Sequence, residues 1–159
     1  MLSLDLDATD IRILIQLQRD AKQTNVELAT HVNLSASPCL ARVRALERAG
    51  IIDRYVTLLN PQKLGLGLNV FVQITMERQI QKHLEAFQEL ITSYVEVMEC
   101  YLMTGDFDYL IRIIVADLPA LERFIVDKLT KIPGIANIKS SMALKQVKYE
   151  TALPLHRSI

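Results

Sequence analysis

Three arginines, Arg42, Arg44 and Arg48, stand among small residues in the run Leu34 to Gly50, L-S-A-S-P-C-L-A-R-V-R-A-L-E-R-A-G. At 100° per residue, Ser37, Ala41, Arg44 and Arg48 share one face of a helix, while Cys39, Val43 and Leu46, flanked by Leu40, share the other. A guanidinium can bind phosphate or make two parallel hydrogen bonds to guanine, and small neighbours let the helix come close to a major groove. An ordinary solvated arginine face is the competing reading of the helix alone. A second polar group, Gly105-Asp106-Phe107-Asp108, reads as a hairpin turn with Asp106 capping it and Asp108 solvated. No His or Cys spacing supports a metal at that carboxylate pair. Cys39 and Cys100, and His31, His83 and His156, form no metal or nucleophile motif, so no catalytic constellation is visible and the chain reads as a non-enzyme.

The 159 residues carry 18 Lys and Arg against 18 Asp and Glu, a net charge of zero. A non-specific nucleic-acid coat needs a strongly basic surface, so only a local basic face fits. There is no apolar run of membrane length and no signal-peptide pattern, which makes a soluble, reduced, cytoplasmic protein without membrane contact the expectation.

The elements that must position the arginines begin at L-D-L-D-A-T-D. Asp7 as N-cap and Asp10 at N3, followed by Ile11, Leu14, Ile15 and Leu17, predict a helix from Ala8 to about Arg19. Thr24-Asn25-Val26-Glu27 has the form of a capping box and opens a second helix to about His31, burying Val26, Ala29 and Val32. Asn33-Leu34 is a tight connection into the arginine helix, where Ser35 is the expected N-cap through its hydroxyl, Pro38 lies in the tolerant first turn and Gly50 is the stop. I-I-D-R-Y-V-T-L-L-N-P then predicts a short strand or wing. A helix-turn-helix with a wing favours DNA over protein docking as the use of the arginine face.

Pro61, Gly65 and Gly67 mark a linker over 60–67, dividing a DNA-binding domain at 1–59 from a second domain at 68–159. Leu68, Val70, Val72, Ile74 and Met76 alternate as in a half-buried strand, and Ile80, Leu84, Phe87 and Ile91 recur as in a helix. Strands over 95–104 and 107–115 flank the Gly105-Asp106 turn. A helix through Leu121, Phe124, Ile125 and Leu129 ends at Pro133-Gly134, and a last strand runs from about Ile135 to about Tyr149. The order βαββαβ is that of a ferredoxin-like sheet with helices on one face. Phe71 on the other row of the 68–76 strand, with Leu110 and Ile114 opposite Ile111, Ile113 and Val115, implies two apolar faces and hence a second copy of the chain. The fold class is therefore α+β, an N-terminal winged helix-turn-helix plus a C-terminal βαββαβ domain.

The runs N-V-E-L-A (Asn25 to Ala29), L-S-A-S-P-C-L-A-R-V-R-A-L-E-R-A-G-I, L-L-N-P (Leu58 to Pro61) and T-G-D-F-D-Y-L (Thr104 to Leu110) closely resemble the leucine-responsive/asparagine regulator (Lrp/AsnC) family over nearly the whole chain. The C-terminal half looks most like the branch that regulates branched-chain keto-acid dehydrogenase operons. The resemblance implies a transcriptional regulator of amino-acid metabolism that dimerises through its C-terminal domain and assembles to octamers on DNA. It also implies an amino-acid effector between subunits and no other cofactor. The candidate DNA contacts are Ser35, Ser37, Pro38, Ala41, Arg42, Arg44 and Arg48, on a palindromic double-stranded operator. Carried over, the effector cleft comprises Leu102, Gly105, Asp106, Asp108 and Tyr109, with Leu118 and Met142. Gly105 permits close backbone approach and an Asp carboxylate accepts from an α-ammonium group. The lack of a further charged cluster favours a neutral aliphatic effector, leucine or another branched-chain amino acid. An effector-independent architectural DNA protein and an amino-acid sensor acting on a protein partner are the alternatives.

Overall fold

The computed structural model describes residues 6–77 and 81–155, with the backbone alone for 81 and 82; Ile80 and His156 of the patterns above lie outside them. The chain divides into two units, Met1–Leu58 with Lys148–Ile159, and Leu59–Val147.

In the first unit α1 spans Ala8–Arg19, α2 Asn25–His31 and α3 Ala36–Arg48. Asp7 Oδ1 accepts from the N–H groups of Thr9 and Asp10 at 2.8 and 2.9 Å, and Asp10 accepts back from Asp7 N at 3.2 Å. Thr24 and Glu27 close the same reciprocal box on α2. These pairs satisfy first-turn donors that a helix leaves orphaned. Ser35 differs from expectation: it occupies the N-cap position in extended conformation but its side chain caps nothing. The residue at N3 is Pro38, which has no N–H to offer. The start of α3 is tied instead by Asn25 Nδ2, which donates to Ala36 O at 2.7 Å.

Both sharp turns are closed by the same device. Gly50 (φ +69°) donates to Glu47 O and Ile51 to Leu46 O, each at 3.0 Å. Asn33 (φ +59°) donates to Thr30 O and Leu34 to Ala29 O. Each pair is a Schellman motif, which needs a residue that tolerates the left-handed region. Ile13, Leu14, Leu28, Ala29, Val32, Cys39, Val43 and Leu46 form the core of this unit. Val26, expected inside, is 65% exposed; Leu28 takes its place in the core. Residues 53–60 form neither helix nor strand, and Tyr55, Val56, Leu58 and Leu59 are exposed. The anticipated wing strand is therefore absent among the described residues, because no neighbouring strand supplies a ladder. The tail also departs from the expected second domain. Gln18 bonds Leu153 through both amide atoms, and Leu155 packs on the helical core.

In the second unit a 3-10 turn at Gln62–Leu64 precedes β1 (Leu68–Met76), α4 (Gln81–Ser93), β2 (Val97–Leu102), β3 (Tyr109–Val115), α5 (Leu118–Arg123) and β4 (Ile135–Met142). The sheet order is β2-β3-β1-β4, antiparallel throughout, as βαββαβ predicts. β4 stops at Met142 rather than near Tyr149, and the exposed 144–149 segment pairs with no strand. Past α5 the helical run becomes a π turn, Phe124–Lys128, and a 3-10 turn, Leu129–Lys131. Phe124 and Leu129, five residues apart, are both buried, a spacing that a π turn brings toward one face.

Val70, Val72, Ile74 and Met76 interdigitate with Tyr109, Ile111, Ile113, Phe87, Ile91 and Phe124 on the helix-covered face. The other face is less apolar than expected. Arg112 stands between Leu110 and Ile114, opposite Phe71 and Glu99, and its Nε and Nη2 both donate to Glu99 Oε1, at 2.9 and 2.6 Å. Arg112 holds the Glu99 carboxyl below its ordinary pKa of 4.5, burial opposing. A depressed folded pKa gives stability that is complete above the unfolded value and is lost as pH falls through the folded one. Glu99→Gln should lower Tm at pH 7, by the equivalent of at most about 1 kcal/mol for a partly exposed pair. The gap from the parent protein should close below pH 4.5. Thermal unfolding from pH 7 to pH 3 checks this, and a constant gap contradicts the linkage.

Candidate functional site

On α3 the buried row is Cys39, Val43 and Leu46, and the opposite row of Ser37, Ala41, Arg44 and Arg48 is exposed, as are Ser35 and Pro38. Arg44 and Arg48 enter no ion pair among the described residues. With the Ser35 hydroxyl uncommitted to capping, the first turn and the two guanidinium groups form one polar face with small side chains between them. Such a face can reach phosphate oxygens and base edges.

Arg42 does not belong to it. Its Nη1 donates to Asp7 Oδ2 at 2.7 Å and to Asp10 Oδ1 at 2.8 Å, joining α3 to the capping box of α1. The Asp7 carboxyl is held below its ordinary range first by the Asp10 N–H and then by Arg42. Arg42 therefore ties α3 to α1. Asn25, which sequence reasoning placed only inside a capping box, has a similar role at the start of α3. No local pattern marks it, because its partner lies 11 residues away.

The candidate effector residues do not form one cluster within a chain. Leu102 ends β2 beside Tyr109, and Tyr109 pairs with Ile74 of β1, so Leu102 and the 105–108 turn share one end of the sheet. Met142 pairs with Val70, four residues along β1, or about 13 Å at ~3.3 Å per residue. Leu118 follows the far end of β3, about 20 Å from Tyr109 by the same rise. All three are exposed.

Gly105, at φ +123°, adopts a backbone that L side chains rarely enter, with open space where a Cβ would stand. Asp106 is exposed. Asp108 is not simply solvated. Its Oδ2 accepts from Met76 N at 2.7 Å, its N–H donates to Ile74 O at 2.9 Å, and its carbonyl accepts from Met103 N at 2.8 Å. It pins the turn to the end of β1. Tyr109 is a correction: its side chain is 1% exposed, stacks against Phe87 at 4.3 Å between centroids and accepts from Gln88 Nε2 at 2.9 Å. Strand alternation turns Asp108 and Tyr109 to opposite sides, so the phenol lies under α4 and cannot line an exposed cleft.

Residues 6–53 match the winged helix-turn-helix DNA-binding family, and residues 69–153 match the Lrp/AsnC ligand binding domain. The chain is 41% identical over 149 residues to the leucine-responsive regulatory proteins of Escherichia coli K12 and Klebsiella pneumoniae, covering 94% of this chain and 91% of theirs. The chain belongs to the Lrp/AsnC family of transcriptional regulators.

Among solved Lrp/AsnC-like folds, a Neisseria meningitidis transcriptional regulator in complex with L-Met superposes with TM-score 0.91 at 41% identity, covering 94% of this chain and 97% of that one. An AsnC family regulator from Agrobacterium tumefaciens gives 0.90 at 39% identity, with the same coverage. For this Lrp/AsnC protein the DNA-binding match contains α1 to α3, and the ligand-binding match contains the sheet from Asn69 onward. DNA reading and ligand sensing thus reside in different units. No helix among the described residues is long and apolar enough to cross a membrane.

Proposed function

We propose that this regulator senses a small aliphatic amino acid, leucine or another branched-chain one, between C-terminal domains of different subunits, and that the ligand sets its DNA binding or assembly. The observation that carries this reading is the separation of the candidate residues. Leu102, Gly105, Asp106 and Asp108 lie at one end of the sheet and Leu118 and Met142 at the other, so a cleft using both ends needs a second copy. Gly105 opens the backbone to the ligand, an Asp carboxylate takes its ammonium, and the exposed Leu and Met side chains take its aliphatic part. The less polar part of the open sheet face, with Phe71, Leu110 and Ile114, supports a homodimer there, and further pairing to octamers extends it. The E. coli relative is a leucine-responsive regulatory protein and the Neisseria structure holds L-Met, which favours a neutral side chain.

Dimers place two α3 helices on a palindromic operator, with half-sites one helical turn apart, about 34–36 Å, in the cytoplasm. Ligand contacts shared between subunits differ between assembly states, and such differential binding is what shifts an equilibrium. The coupling is expected at about 1–3 kcal/mol.

A thermal-shift screen against the twenty amino acids tests the reading. Stabilisation by RT ln(1 + [L]/Kd) reaches about 2.7 kcal/mol at a hundredfold excess over Kd, and branched-chain amino acids should head the ranking. No shift with any amino acid would sink it. Asp108→Asn keeps an acceptor for Met76 N–H and removes the charge, so it should weaken effector binding by about 1.5–3 kcal/mol while the fold survives. Unchanged affinity in a calorimetric titration would take Asp108 out of the site.

A further inference from the structure

We infer that Tyr55 is a positioning residue for DNA binding, whose phenol holds the Glu47 carboxylate off the polar face of α3 and so keeps Arg44 and Arg48 available to DNA. Glu47 follows Arg44 by three residues and precedes Arg48 directly. Side chains three apart are neighbours on a helix surface, where a Glu and an Arg pair readily. Here that pair does not form. Among the described residues neither Arg44 nor Arg48 enters an ion pair, and Glu47 Oε1 accepts from Tyr55 Oη at 2.9 Å instead.

The chain is built locally to bring the two together. After α3 the N–H groups of Ile51 and Ile52 both donate to Leu46 O, at 3.0 and 3.3 Å, and Ile52 packs against the helical core. That turn carries Tyr55, eight residues on, back to Glu47. The ring is half exposed and lies outside the helical core, so core packing does not account for its place. Burial and then the Glu47 carboxylate push the phenol's pKa up to about 12, and it keeps the proton it donates throughout the neutral range. A phenol is also a neutral partner: it holds the carboxylate without spending a cation. Paired with Arg44, the same carboxylate would occupy a guanidinium and set a negative charge beside the phosphates that guanidinium is to meet.

The inference rests on the α3 face being the one that meets DNA, which Arg44→Ala probes separately. Fluorescence anisotropy of the full chain, on a duplex that the parent protein selects from a random pool, tests both. Tyr55→Phe removes only the hydroxyl and should weaken binding about two- to fourfold at low salt, because a new pair at that spacing and a like charge nearby each cost up to about twofold. The ratio to the parent should shrink as salt screens the charges. Glu47→Gln should bind at least as tightly as the parent, and adding Tyr55→Phe to it should cause no further loss. Unchanged binding in Tyr55→Phe, weaker binding in Glu47→Gln, or an equal Tyr55→Phe loss in both backgrounds overturns the inference, the last because Tyr55 would then act on DNA or on the fold without Glu47. If Arg44→Ala weakens binding and Tyr55→Phe does not, the positioning role alone falls. If Arg44→Ala binds like the parent, the α3 face falls and this inference with it.

Discussion

Tyr109→Ala should destabilise the sheet domain by about 3–5 kcal/mol, the usual cost of truncating a buried aromatic. The ring is 1% exposed, stacks on Phe87 and lies in the same core as Val72, Ile74 and Ile111. Against a total domain stability of about 5–15 kcal/mol, that loss is a large share of the whole. Chemical denaturation of parent and variant checks the magnitude. Tyr109→Phe separates packing from sensing. It forfeits only the Gln88 hydrogen bond, about 0.5–1.5 kcal/mol, and amino-acid affinity should not change. A selective loss of effector binding in Tyr109→Phe, with stability intact, would return the phenol to the ligand site.

Arg44→Ala should weaken operator binding by about 1–3 kcal/mol if the side chain reads a base, with relaxed specificity at one position. If it contacts phosphate alone, specific and non-specific DNA should weaken alike and the salt slope should fall by about 1. In either case the melting temperature should hold, because Arg44 is exposed and has no ion-pair partner among the described residues. Arg42→Ala should behave in the opposite way. It releases Asp7 and the buried Asp10 from their shared guanidinium, lowering Tm, and its DNA affinity falls only as α3 loosens. Gel shifts at two salt concentrations, with melting curves for both variants, separate the roles. An Arg44→Ala variant that binds operator like the parent would remove this face of α3 from the interface.

The contrast between the two arginines shows how much of the site was legible beforehand. Helical periodicity places Arg44 and Arg48 opposite Cys39, Val43 and Leu46, and the structure agrees. The same periodicity cannot show that Arg42 meets two carboxylates more than 30 residues earlier, since that contact depends on how α1 packs on α3. Ser35 failed as a side-chain cap for a reason that was local, the missing N–H of Pro38. Tyr109 illustrates a different limit. The motif T-G-D-F-D-Y-L identifies the turn, but which of two adjacent residues points into the core depends on the face that α4 covers.

Local chemistry alone determined the capping boxes at Asp7 and Thr24, the stops at Asn33 and Gly50, the 68–76 strand and the βαββαβ order. Each is set by residues within a few positions, through hydrogen bonds or alternation that the chain makes with itself. The tertiary structure decided the rest. It tied Arg42 to α1, Asp108 to the end of β1 and the 148–155 tail to the first unit, left 53–60 without a strand partner, put Arg112 on the open sheet face, and separated Leu118 and Met142 from the Gly105 turn. Those outcomes turn on contacts between residues distant in sequence, which are selected by the packing of whole faces rather than by any spacing along the chain.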